Sequence, residues 1–185
     1  MRLKKADGTV NSFVSGTTTG IDKLAAWTAK MALTDGGKVV ISPYIQAPTQ
    51  EGGDARTFGG GNDTLGGIEM VIGRNPSTFS GVMRGVSQNV IKAMKELQCE
   101  AQGDNLGVIL FDENGNIEAI ADGTTSGTYY PIPIRSLFIG DKMHGGLDAP
   151  DSNAISWAFL PNYSDDLSIV APNDFNPLTD LTPAT

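Results

Sequence analysis

Residues 107–121 read GVILFDENGNIEAIA, and the fold class turns on this stretch. Its pattern has period two on both sides of Asn114-Gly115, a dipeptide that supplies the positive φ angles of a tight hairpin turn. Strands are therefore predicted over Gly107–Asp112 and Asn116–Ala121. Downstream, Thr128–Ile139 is strand-like, with Pro131 and Pro133 forcing an edge or a kink because proline cannot donate to a ladder. Asn153–Leu160 alternates, with Ile155, Trp157 and Phe159 on one face, and Asp166–Ala171 reads as the last strand. Gly123–Thr128 and Lys142–Asp151 read as loops. Pro172–Thr185 holds three prolines and reads as an extended arm with Phe175, Leu178 and Leu181 as apolar knobs.

Upstream, Asn75-Pro76-Ser77-Thr78 resembles a helix start. Phe79, Val82, Met83, Val86, Val90, Met94 and Leu97 recur at three- and four-residue steps, which predicts an amphipathic helix from 77 to about 99. Ile68–Gly73 is a short strand. Residues 47–67, APTQEGGDARTFGGGNDTLGG, form the longest irregular stretch, and seven of the last sixteen residues are Gly. A loop this long serves function or assembly. Lys38–Gln46 reads as a strand made an edge, or broken, by Pro43. A short helix is expected over 20–33 behind a Thr18 or Thr19 cap, with Ile21, Leu24, Thr28 and Met31 on one face. Asn11–Val14 is a further short strand. The expected fold is α+β: a mainly antiparallel β-sandwich or partial barrel with one amphipathic helix packed on it and a second short helix. One β-rich domain spans 1–171, with 47–67 as an inserted loop and 172–185 as the arm.

Composition narrows the function. The chain has 185 residues and a net charge of -8, with one Cys and one His. Residues 1–95 carry 11 Lys/Arg and 7 Asp/Glu, whereas 96–185 carry only Arg135 and Lys142 against 14 acids. An acidic chain does not grip phosphates, so no specific nucleic-acid binding is expected. The polarity can serve solubility alone or head-to-tail association. No apolar run is long enough to span a membrane. Lone Cys99 and lone His144 exclude Cys-based and multi-His metal sites.

Motifs that carry chemistry are weak. GGGNDTLGG (59–67) matches one unit of a calcium-binding nonapeptide repeat, with Phe58 where the first Gly belongs, but those ions sit between stacked turns and no array follows. DENGNI (112–117) has Ile117 at the EF-hand glycine position and Gly123 at the glutamate position, so the hairpin reading prevails. Neither a P-loop nor GxGxxG occurs. Cys99 at the end of a helix reads as a buried small residue. His144, with Asp141 and Asp148 near in sequence, is the one hydrolase candidate, and no GxSxG elbow supports it. Asp165-Asp166 are adjacent on a strand and point to opposite faces. Trp157, Phe159 and Tyr163 offer either a sugar-stacking face or core. The reading is non-enzymatic, with no cofactor and no metal.

GVILFDENGNIEAI, PIPIRSLFIG, SNAISWAFLPNYSDDLSIV and APNDFNPLTDL, in that order over roughly residues 68–181, resemble small virion proteins of tailed bacteriophages, tail tube subunits most of all. The resemblance implies a β-sandwich or barrel with a packed helix. It also implies a homo-oligomeric ring, usually hexameric, that stacks around a DNA-conducting lumen in a virion assembled in the host cytoplasm. Long loops and termini then reach neighbouring subunits. Phe58 and Leu65 on the loop, with Phe175, Leu178 and Leu181 on the arm, are the expected subunit-interface anchors, because apolar knobs on irregular segments need a surface to bury against. A head–tail connector, a capsid-associated (decoration) protein, and a soluble glycan- or protein-binding module are the alternatives.

Overall fold

The computed structural model describes residues 1–16 and 18–183. In chain order the elements are β1 (Phe13–Val14), α1 (Leu24–Met31), β2 (Ile45–Gly52), β3 (Ala55–Phe58), a 3-10 turn (Leu65–Gly67), β4 (Met70–Arg74) and β5 (Ser77–Arg84). After them come α2 (Gln88–Gln102), β6 (Leu106–Val108), β7 (Leu110–Phe111), β8 (Ile117–Ala121), β9 (Thr128–Tyr130), β10 (Ile132–Ile139), β11 (Ser152–Phe159), β12 (Leu167–Val170) and α3 (Pro177–Asp180). The fold is α+β with antiparallel sheets, and no sheet closes into a barrel among the described residues. One sheet runs β2-β5-β11-β10-β6. A second runs β1-β9-β8-β12, with β7 also on β8. β3 and β4 pair only with each other.

β11 carries the first sheet. Its side chains alternate along the strand, and Asn153, Ile155, Trp157 and Phe159 are buried. β5 lies beside it in unbroken register from Ser77↔Phe159 to Arg84↔Ser152. This corrects the expected helix over 77–99: residues 77–84 are a central strand, and the helix starts at Gln88. Phe79 and Met83 point to the covered face with Gly81 between them, a period-two pattern hidden by the glycine. Gly81 is required by close approach, since a Cβ there would lie 2.3 Å from Ile45 Cγ2. From Gln88 on the stripe is helical as expected: Val90, Ile91 and Ala101 are buried, and Met94 and Leu97 pack half-buried against the first core, as does Val86 from the turn before the helix.

The irregular stretch is also corrected. Residues 38–44 form no strand, whereas β2 runs along the sheet edge and β3 and β4 make a separate hairpin. Pro48 is accommodated where the β2 register shifts between Gln46 and Thr49, a bulge that removes the need for its missing N–H. Pro131 does kink the chain, and the strand is split there: β9 belongs to one sheet and β10 to the other. β10 is no edge, because Pro133 faces Gly107 of β6 while β11 lies on the opposite side. The 107–112 strand splits likewise at Ile109 into β6 and β7. Ile132 pairs with Val108, so the two crossings lie side by side. The hairpin turn stands as read from Asn114-Gly115. The Asp112 carboxylate accepts from the Asn114 and Asn116 amides at 2.8 Å and from the Asn116 side chain at 2.7 Å, and these bonds hold its pKa below the usual carboxylate value.

Two cores result. The first joins α2 to the covered face of the larger sheet through Met83, Ile91, Ile132, Ile134, Trp157 and Phe159. The second lies between α1 and the smaller sheet and is built on Phe13, Ile21, Trp27, Ile117, Phe175 and Leu181. α1 is shorter than expected and turns Ala26 and Trp27 inward, while Thr28 is exposed. No threonine caps it. The Leu24 amide donates instead to Asp174 Oδ1 at 2.9 Å, so a residue from the far end of the chain satisfies an open helix donor.

The Met1 amine donates to the Gly107 carbonyl at 3.0 Å beside β6. Burial lowers its pKa from 8.0 to about 6, because desolvation disfavours the ammonium form. The unfolded chain therefore binds more protons between those values, and stability rises with pH from about 6 to 8. The full shift corresponds to at most ~3 kcal/mol, and solvent around the half-buried Met1 reduces it to about 1 kcal/mol. Urea midpoints at pH 6 and pH 8 in one ionic strength check this: the higher midpoint is expected at pH 8, and acetylation of the amine should flatten the difference.

Candidate assembly surface

The β3–β4 hairpin is built to project. Its strands are joined by Gly59-Gly60-Gly61, all at positive φ (88°, 104° and 59°), a run that only glycine holds without strain. Thr64 closes the tip: its hydroxyl accepts from the Gly60 amide at 3.2 Å and donates to the Ile68 carbonyl at 2.7 Å. At the base, the Asn75 amide donates to Asp54 O at 2.9 Å, and Arg74 donates to Asn162 Oδ1 at 2.9 Å. The glycines that resemble a calcium-binding repeat thus serve a turn, and no cluster of three or more potential metal ligands occurs among the described residues. What the hairpin presents is apolar. Phe58, Ile68, Met70, Val71 and Ile72 are each more than half exposed, and Leu65 is fully exposed. Large apolar side chains exposed in this number on one small element mark an interaction site.

Between the two cores lies a cleft of about 760 Å³. Its walls include Trp27 from one core, Phe79 and Trp157 from the other, and Met94 and Leu97 of α2. Val40, Tyr44 and Leu178 also line it, and all three side chains are substantially exposed. Tyr44 Oη donates to the Leu178 carbonyl at 3.2 Å, tying the segment after α1 to the arm. Inside, the Phe79 and Trp157 rings stack at 4.1 Å. Trp157 is 4% exposed, and its Nε1 has no hydrogen-bond partner among the described residues.

The five expected anchors separate into two groups. Phe58 and Leu65 lie together on the projecting hairpin. Phe175 and Leu181 do not reach outward: both are buried in the second core beside Trp27, and Leu178 alone of the arm's three knobs keeps substantial exposure. The free-arm expectation is corrected here, since the Asp174 contact to α1 and the short turn of α3 fold the arm back onto the body. Val71 and Ile72 give no sign of this exposure in the sequence, where their apolar run beside Met70 has the pattern of an ordinary strand.

The remaining candidates stay apart. His144 is exposed, with Nδ1 3.4 Å from Asp151 Oδ1. That carboxylate, bonded chiefly to Lys142, has its pKa held low, and Asp141 pairs with Lys95 instead. Cys99 is exposed on α2, a correction of the expected burial: it falls off the Val90–Met94–Leu97 stripe. Trp157 and Phe159 are core, and Tyr163 stacks on Phe159 at 4.4 Å, so these three rings form no open sugar platform. Arg2–Glu100 (2.7 Å) and Lys95–Asp141 join the basic and acidic halves of the sequence, so folding mixes them in space.

No family model matches the chain, and no curated protein matches it. A solved structure described as the tail of an empty GTA particle, computed with helical refinement in C6 symmetry, is similar at a TM-score of 0.33 and 14% identity. The match covers 76% of this chain and 89% of that one.

Proposed function

We propose that this chain is a non-enzymatic, self-assembling structural subunit of a phage virion, a tail tube protein whose copies form rings stacked around a DNA-conducting lumen. The observation that carries the reading is the β3–β4 hairpin, a well-closed arm with six large apolar side chains exposed and, among the described residues, no third strand beside it. Such an arm has a reason to exist only when another surface covers it. The open face of the larger sheet fits a lumen. It presents Thr78, Ser80, Val82, Ala154, Ser156 and Ala158, small and uncharged, with Ser80 opposite Ser156, and carries Glu51 at one end and Arg84 at the other. At its margin Arg135 is neutralised by Asp104 at 2.6 Å. A surface with so few charges, of both signs, holds phosphates weakly.

Joining Gly53 directly to Pro76 removes the arm at its hydrogen-bonded base. The variant is expected to keep the urea midpoint of the parent within ~0.5 kcal/mol while losing assembly, read by light scattering and negative-stain microscopy. Assembly of the armless chain at parental yield would remove the hairpin from the mechanism. Stacked rings in the parent identify a tube, and single rings identify a connector.

A further inference from the structure

The β3–β4 hairpin is the outward continuation of the β2–β5 pair. Gly52 faces Ser77 at the end of one ladder, and Ala55 faces Arg74 at the start of the next. Between them lie Gly53 and Asp54 on one strand and Asn75 and Pro76 on the other. We propose that this short span is a hinge about which the hairpin swings as one limb, and that Arg74 and Asn162 form the latch that holds it in the pose seen. The device belongs to the single chain, whether or not copies assemble.

The first support is the chemistry of the joint. Gly52 and Gly53 stand at φ of 108° and 84°, a conformation that residues with side chains rarely adopt. A Cβ on Gly52 would lie 2.9 Å from the Pro76 carbonyl oxygen. Pro76 has no N–H to give to the ladder. Among the described residues, the strands are bridged there by the Asn75 amide alone, which donates to Asp54 O at 2.9 Å. Hinges are built from a few such positions that absorb large changes of φ and ψ.

The second support is what lies beyond the joint. Every residue of β3 and β4 is exposed, and none of residues 55–74 belongs to either core. Among the described residues, one side-chain hydrogen bond ties the limb to the body: Arg74 Nη1 donates to Asn162 Oδ1 at 2.9 Å. The acceptor is firmly placed. Asn162 takes φ 63°, which asparagine tolerates. Its neighbour Tyr163 stacks on Phe159 at 4.4 Å and accepts from Gln50 of β2. One loop thus grips the ribbon on both sides of the joint, and only the Arg74 bond has to break for the limb to swing.

Energy transfer between dyes tests this in the full chain at picomolar concentration, where copies do not meet. One dye sits on Cys99, the single cysteine, which is exposed, and the other on Leu65→Cys at the tip. A second pair, Leu65→Cys with Ile169→Cys in a Cys99→Ser chain, views the tip from β12. Donor decay in nanoseconds outruns hinge motion, so each pose gives its own lifetime. Two poses are expected, and Arg74→Ala should raise the ratio of swung to latched about two- to tenfold. Asn162→Gly, which keeps the left-handed backbone and removes the carboxamide, should do the same. The double variant should go no further than either.

A single pose in both dye pairs, unmoved by either substitution, would overturn the hinge. A continuum of lifetimes would mean that the hairpin frays instead of swinging, and would overturn it too. Two poses whose ratio neither substitution changes, or on which the two add in full, would overturn the latch and leave the joint standing.

Discussion

Truncation after Ala171 is expected to leave a chain without a cooperative unfolding transition. The segment removed holds Phe175 and Leu181, buried at 9% and 3% exposure in the second core, and Asp174, whose carboxylate accepts the first amide of α1. Emptying a buried phenylalanine site costs ~3–5 kcal/mol and a leucine site ~2–5. Their sum reaches the whole stability of an ordinary domain, ~5–15 kcal/mol. Urea titration with near-UV circular dichroism checks this. Phe175→Ala, which keeps the chain intact, should shift the midpoint down by a few kcal/mol while the fold survives. A truncated chain with a parental midpoint would show that the arm's packing is marginal, and would restore it as a segment free to reach sister copies.

Trp27→Ala carries the second large effect. The indole donates to the Ile21 carbonyl at 2.7 Å, and its ring lies 4.7 Å from Phe13, 5.4 Å from Phe111 and 6.5 Å from Phe175 between centroids. The substitution opens a cavity worth ~3–5 kcal/mol and orphans a buried carbonyl. Trp27→Phe retains most of the ring and is expected to cost about 1–2 kcal/mol, chiefly the lost hydrogen bond. Because Phe175 touches the same ring, Trp27→Ala combined with Phe175→Ala should cost less than the two added together. Full additivity in equilibrium unfolding would place the arm outside this core.

Legibility followed the range of the interaction. The Asp112–Asn116 turn and the inward face of β11 were readable because each is written locally, in Asn-Gly and in the alternation of Ile155, Trp157 and Phe159. The α+β class followed from them. Residues 77–86 were misread because Phe79, Val82, Met83 and Val86 satisfy the helical spacing, whereas the zigzag that the chain adopts passes through Gly81, which carries no apolar signal. β2 was missed for a related reason: Gln46, Thr49, Gln50 and Glu51 are exposed polar residues held in a strand by pairing with β5, and pairing leaves no mark on hydropathy. Of the candidate surface, Phe58 and Leu65 were found as apolar residues among glycines. The fate of Phe175 and Leu181 was hidden, since three-residue spacing between prolines matches neither periodicity and their partners on α1 lie some 150 residues away. The cleft has no local signature, because it exists only once both cores have formed.

The neighbouring crossings at Ile109 and Pro131 make a spine like that of a book, with each sheet a cover bound along the same line. The main chain thus sets the line of the binding, and the side chains packed between the covers, Ile120 and Leu167 among them, set how far the book stands open.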